Sequence, residues 1–276
     1  MSFTYQRIYR GPIEAVLLDW AGTTMDFGCV APAVVFVEVF RRQDVPITMD
    51  EARAPMGAHK RVHIQRITEL DSVRQRWLEA HGRLPTDDDV ETMFKAFVPL
   101  QLECLSTYSG LIPGTLEVVA ELRRRAIKIG STTGYTTPMM EINLRDAARQ
   151  GYHPDSTVCA SDVPAGRPHP YMCFQNAINL GVTTVQACVK VDDTVPGVEE
   201  GLNAGMWTVG LAVSGNEVGL QRQEWEALSG KEREVKRERA YRRLAQSGAH
   251  YVVDSIAQLL PCIDDVQRRI RAGERP

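Results

Sequence analysis

The chain has 276 residues, 43% of them hydrophobic and 24% charged, with a formal net charge of -3. That length accommodates one large α/β domain or a catalytic domain with an insert, and the composition lies well away from disordered classes. The charge balance, without any basic stripe interleaved with aromatics, speaks against a nucleic-acid partner, and no apolar run reaches the ~18 residues of a membrane span.

The opening residues MSFTYQRIYRGPIE lack the apolar core of a signal peptide. Six cysteines are scattered without a C-x-x-C pair, so neither a disulfide framework nor a zinc site is expected. The expected location is the cytoplasm.

Taken in chain order, EAVLLDW (14–20) is a short apolar run that ends in a carboxylate and meets Gly22. It reads as a buried strand that delivers Asp19 to its C-terminal edge. Residues 28–107 then show helical periodicity without a convincing strand. Beyond them, KIGSTTG (128–134), STVCAS (156–161), ACVKVDD (187–193) and MWTVGL (206–211) repeat the strand format. Helix-like stretches at 115–126, 137–150, 170–180 and 197–204 alternate with them. The alternation predicts an α/β fold, a doubly wound, Rossmann-like parallel sheet with helices on both faces. The helical block reads as an inserted cap domain of residues 28–107 over a core of 1–27 and 108–276. Residues 221–246, dense in mixed charge, read as solvated helix surface with i,i+4 pairs. HYVVDS (250–255) supplies a last strand before a closing helix.

Ligands of such sheets bind beyond the carboxyl ends of the strands, where Asp19, Thr133, Ser161 and the pair Asp192/Asp193 fall. In DWAGTT (19–24) the carboxylate precedes a glycine turn whose amides, Gly22 among them, are expected to cradle an anion. A lone strand-end Asp more often caps a helix. Here three further elements follow in order: Thr133 of STTG as a hydroxyl donor, Arg167 of GRPHP as a fixed cation, and the acids of VDDT. Two anions repel when a carboxylate attacks a phosphorus oxyanion. A divalent ion and an arginine offset that repulsion, and magnesium suits an all-oxygen site.

The four elements in this order resemble the haloacid-dehalogenase-like superfamily of phosphoryl-transfer enzymes. Phosphatases of that superfamily carry a second Asp two residues after the nucleophile, which protonates the leaving group. Here that position is Ala21, so the leaving group needs another form of activation. APMGAHKRVH (54–63) offers Lys60 on the first turn of a helix. A lysine there is normally surface decoration, but an uncharged amine can condense with an aldehyde and accept the electrons of a breaking P–C bond.

DWAGTTMDFG, PMGAHKRVHI, STTGYT, GRPHPYM and DDTVPGVEEGLNAGMWTVG are similar to the phosphonoacetaldehyde hydrolase (phosphonatase) family over essentially the whole chain. The resemblance implies hydrolysis of phosphonoacetaldehyde to acetaldehyde and phosphate by a magnesium-dependent homodimer. By matching position it makes Asp19 the nucleophile and Lys60 the Schiff-base lysine, and it gives the metal to Asp19, the Ala21 carbonyl and Asp193. Thr133 and Arg167 would hold the phosphonate, and Met56, His63 and Tyr135 would line the site. For His63 alone, a hydrogen-bonded structural histidine is the commoner case. Many superfamily members have a further Asp where this chain has Gly197, and Asp192 is the residue expected to compensate through a metal-bound water. Since Asp19 and Lys60 lie on different segments, the cap is expected to close during turnover, and in the free protein Lys60 can stand away from Asp19. The rival readings are a magnesium-dependent phosphatase or phosphomutase, a haloalkanoate dehalogenase, and a catalytically silent binding protein. Ala21 and Lys60 speak against the first, the paired acids against the second, and the full set of groups against the third.

Overall fold

The run AVLL becomes β1 (Ala15–Leu18), the central strand of a six-stranded, all-parallel sheet. The computed structural model describes residues 8–276; residues 1–7, assigned to the core from sequence, lie outside the described residues. The other strands are β2 (Lys128–Thr133), β3 (Ser156–Cys159), β4 (Cys188–Asp192), β5 (Trp207–Leu211) and β6 (Tyr251–Val253), in the spatial order β3-β2-β1-β4-β5-β6. The chain runs outward from β1 to β3, then crosses back to β4 and runs outward again. The reversal falls between β1 and β4, which is where a doubly wound sheet opens a crevice for ligands.

Side chains alternate along β1 as a strand requires. Val16 and Leu18 join the large apolar cluster on one face, whereas Ala15 and Leu17 pack on the other with Cys173 and Met206. Helices α6 (Thr115–Arg124), α7 (Thr137–Arg149), α8 (Tyr171–Asn179), α9 (Val195–Asn203) and α12 (Leu259–Ala272) cover the sheet near the expected positions. The charged stretch forms α10 (Arg222–Ala227) and α11 (Gly230–Gln246). It is largely exposed, with the expected i,i+4 pair between Arg222 and Glu226, and α11 buries Ala240 and Leu244.

The block after β1 is helical, as expected: α1 (Val30–Arg41), α2 (Met49–Arg53), α3 (Lys60–Thr68), α4 (Asp71–His81) and α5 (Asp87–Leu105). Local signals explain their starts. Thr48 with Glu51, and Thr86 with Asp89, form capping boxes for α2 and α5. At α1 the N-cap residue Cys29 offers no side-chain bond, and Asp26 accepts from the Val30 and Ala31 amides at 3.0 and 2.9 Å instead. Phe36 of α1 stacks on Phe97 of α5 with centroids 4.5 Å apart. Both belong to the apolar cluster that contains Val16 and Leu18, so packing is continuous from the sheet into the block.

Candidate active site

The strand ends bring the sequence motifs together. Asp19 stands one residue beyond β1, Asp192 ends β4, Asp193 follows it, and Thr133 ends β2. Arg167 reaches in from the loop before α8. Over these ends lies a cavity of about 20 Å³ whose wall includes Asp19, Ala21, Met56, Lys60, Thr133, Tyr135 and Arg167. Lys60 and Asp19 thus face one space in the free protein; the structure is closed, not open.

Arg167 is the hub of the charge arrangement. Its Nη2 donates to Asp19 Oδ1 at 2.6 Å and to Thr132 Oγ1 at 2.9 Å, and lies 3.1 Å from Asp192 Oδ2. Its Nε donates to Glu200 Oε2 at 3.0 Å. Lys190, on the buried strand β4, donates to Asp192 Oδ2 at 2.6 Å. Sequence reading missed Thr132, Lys190 and Glu200. A lysine inside the apolar run ACVKVDD was a signal in itself, because an unpaired buried ammonium is costly.

Four buried acids, Asp19, Asp192, Asp193 and Glu200, face the two buried cations Arg167 and Lys190. The set therefore carries an excess of two negative charges when ionised. Oxygens of Asp19, Asp192 and Asp193 lie within 4.8 Å of one another, a group that can hold a metal ion. Asp193 is the acid with no cation on it: it accepts from the Asn216 amide at 2.7 Å and from Thr23 Oγ1 at 3.3 Å. Burial and the neighbouring Asp19 and Asp192 carboxylates push it well above the usual carboxylate range. Burial likewise pushes Asp19 up, against the pull of Arg167. A divalent cation fits this donor set in charge and in ligand type. Ala21 bridges to Met25 through the Trp20 carbonyl and the Gly22 amide, and its own carbonyl takes no part in those bonds.

Asp192 is differently placed. Oδ1 accepts from the Thr194 amide and hydroxyl at 3.0 and 2.7 Å, and Oδ2 is held by Lys190 and Arg167. Both oxygens are committed within the protein, which weakens the expectation that Asp192 serves through a metal-bound water. The reason for Gly197 is steric: a Cβ there would lie 1.9 Å from Asp192 Cγ. Gly197→Ala is therefore expected to cost about 1–3 kcal/mol of stability, the usual price of overpacking. Chemical denaturation checks this; an unchanged midpoint would mean that Asp192 is free to move.

Lys60 opens α3 and is buried. Its Nζ sits 4.7 Å from the Tyr135 ring centroid and 5.8 Å from that of Phe36. No ion pair to it forms among the described residues. Desolvation lowers its pKa to about 8, with Arg167 helping and Cys29, Asp19 and Asp26 opposing. The Cys29 thiol is itself pushed well up by burial, so near neutral pH it is protonated and gives Lys60 no counter-charge. Two glycines let the loop before α3 approach the strand ends. At Gly57, with φ 93°, a Cβ would meet Thr194 Oγ1 at 2.5 Å, and at Gly134 one would meet the Ala58 carbonyl at 3.0 Å.

Two expectations need correction. Gly22 does not offer its amide to an anion: the N–H donates to the Met25 and Asp26 carbonyls at 2.8 and 3.2 Å. Its function is room, since a Cβ there would lie 2.2 Å from Asp193 Oδ2. His63 is not on the cavity wall. It stacks on Phe36 at 3.8 Å, with Nε2 bonded to the Ala52 carbonyl at 2.8 Å and Nδ1 buried without a partner. Burial holds it neutral, well below the usual histidine range. Ser161 does lie just beyond the carboxyl end of β3, as expected, but it is exposed, within 3.3 Å of Thr137 Oγ1, and not on the cavity wall. Thr133 stays on the wall, its Oγ1 accepting from the Tyr135 amide at 3.1 Å.

Residues 13–205 match the family model described as haloacid dehalogenase-like hydrolase. The chain is 51% identical over its whole length to a phosphonoacetaldehyde hydrolase of Hahella chejuensis, covering 94% of that protein. With one of Syntrophobacter fumaroxidans the identity is 45%, over 99% of both chains. The crystal structure of a phosphonoacetaldehyde hydrolase-like protein from Oleispira antarctica superposes with a TM-score of 0.97, at 46% identity and full coverage of both chains.

Proposed function

This chain belongs to the haloacid dehalogenase-like hydrolase family, and we propose that it hydrolyses the P–C bond of phosphonoacetaldehyde to acetaldehyde and phosphate. The observation that carries the reading is Lys60, a buried amine without an ion pair among the described residues, on the wall of the cavity that holds Asp19, while Ala21 stands where a leaving-group acid would be. A phosphatase or phosphomutase has no use for an imine, which is what a neutral amine in this place can form.

In this reading the neutral Lys60 amine attacks the aldehyde and, with one proton taken up from solvent, releases water to give a protonated imine. An Asp19 oxygen attacks phosphorus, and the P–C electron pair passes through the imine carbon to nitrogen, leaving an enamine on Lys60. Water then cleaves the aspartyl phosphate, while protonation and hydrolysis of the enamine free acetaldehyde and the lysine. One water is consumed overall. Thr133 and Arg167 hold the phosphonate oxygens, and Arg167 is aimed by Glu200 and Thr132. Met56 and Tyr135 enclose the two-carbon part. His63 backs the Phe36 ring behind Lys60 and does not touch substrate. Asp19, Asp193 and the Ala21 carbonyl would hold magnesium, which offsets the charge of the phosphonate when bound. We read residues 28–107 as a cap domain over a core of 1–27 and 108–276, and the assembly as a homodimer. Among the described residues no helix is long and apolar enough to cross a membrane.

The test is release of phosphate and acetaldehyde in equal amounts from phosphonoacetaldehyde, lost on chelation and restored by magnesium. Cleavage of simple phosphate esters with phosphonoacetaldehyde untouched would turn the assignment to the phosphatase reading. The two acids should separate in the same assay. Asp193→Ala should raise the magnesium requirement at least about tenfold with the fold retained, since it removes a charge-bearing ligand. Asp192→Ala should instead destabilise the protein by about 3–5 kcal/mol, because it strips a partner from buried Lys190 and Arg167. The reverse pattern would exchange their roles.

A further inference from the structure

Helix α11 and the base of the cap segment enclose a second cavity, of about 250 Å³, that shares no wall residue with the Asp19 site. Its wall carries Arg53 of α2, the α11 residues Lys236, Arg239 and Arg243, and the acids Asp50 and Glu217. The α11 cations recur at three and four residues, so they form one stripe along the helix. Glu217 is committed to Arg243, with Nε 3.1 Å from Oε2, and Asp50 is exposed. The wall thus has four cations against two acids, and it gives the basic part of the charged segment a use beyond solvation.

Arg53 is the buried member, 8% exposed. Its Nη1 donates to the Gly28 and Cys29 carbonyls at 2.8 and 3.1 Å and to Asn216 Oδ1 at 3.3 Å, whereas Nη2 is buried with no hydrogen-bond partner. Gly219 packs so close that a Cβ would lie 2.7 Å from Arg53 Nε, which limits how far the guanidinium can swing. Arg53 therefore supplies a fixed charge at the back of the wall, and the exposed Lys236 and Arg239 supply the donors that an oxyanion can reach.

We propose that this cavity is a second, non-catalytic oxyanion site, taking free inorganic phosphate between Arg53 and the α11 stripe. An anion there joins α2 to α11 beside the Gly28–Cys29 entry to the cap segment. Equilibrium dialysis of the full, magnesium-loaded chain against radiolabelled phosphate tests this. The exposed pair Lys236→Ala/Arg239→Ala should bind one phosphate fewer per chain than wild type, with unchanged turnover in the absence of added phosphate. Equal stoichiometry in the two proteins overturns the proposal, and so does a loss of binding that comes with a loss of basal turnover. The readout is binding, so its failure leaves the reaction assigned to the Asp19 cavity untouched.

Discussion

Borohydride added with phosphonoacetaldehyde or acetaldehyde is expected to fix a two-carbon unit on Lys60 and to extinguish activity in step with the labelling. Only an imine between the lysine and the aldehyde gives that product. The burial that brings the Lys60 pKa to about 8 supplies the reactive form: at pH 7 about a tenth of the amine is neutral. The ammonium has no lone pair, so kcat/KM should rise with pH and level off above about 8. Lys60→Arg should remain unlabelled and lose at least about 10³-fold in kcat, since a guanidinium keeps the charge but cannot act as the amine. The same variant keeps a cation near the anionic substrate, so KM should move far less. An unlabelled wild-type protein under turnover, or an arginine variant with most of its activity, would remove the imine from the mechanism.

Asp19→Asn is the second large effect, a loss of at least about 10⁴-fold with the fold intact. The amide cannot compete as a nucleophile, yet its oxygen can still accept from Arg167, which also keeps Asp192 and Glu200 as partners. The sign of the stability change follows from the charge balance. Burial raises the Asp19 pKa above its unfolded value, so at neutral pH the ionised carboxylate works against the metal-free fold. Replacing it by a neutral amide should leave the melting temperature of chelated protein equal or higher. A clearly lower value would mean that the Arg167 pair outweighs the burial, and activity within tenfold of wild type would remove Asp19 from its role.

The parts of this site that could be read from sequence are those with a local signature. A four-residue apolar run before Asp19, a strand ending in Thr133, and a helix opening at Lys60 each announce themselves within ten residues. The order of the motifs along a doubly wound sheet then puts them at one edge. Glu200 and Thr132 carry no such mark, because their roles arise from depth: one lies on α9, the other next to the strand end, and Arg167 joins them only in three dimensions. Gly22 and Gly197 were legible as unusual positions but not as steric ones. What makes both necessary is the volume of Asp193 and Asp192, which sequence spacing does not convey. The family resemblance drew His63 into the site, yet the helix turns its ring onto Phe36, in keeping with the structural histidine that the residue alone suggested.

The cavity between Asp19 and Lys60, at about 20 Å³, has room for roughly one water and none for a two-carbon phosphonate. Substrate entry therefore requires the loop carrying Gly57 to stand off from Gly134 and Thr194. With its burial relieved, Lys60 would lose the main cause of its lowered pKa and meet the arriving anion largely as a cation. Shutting the loop is expected to strip its water and loosen its proton, so that about a tenth of closed molecules carry the neutral amine at pH 7 and more carry it as the pH rises towards about 8. In the proposed mechanism capture and attack are two charge states of a single nitrogen, and closure should register in a weakly buffered solution as fractional proton release that grows between about pH 7 and 9.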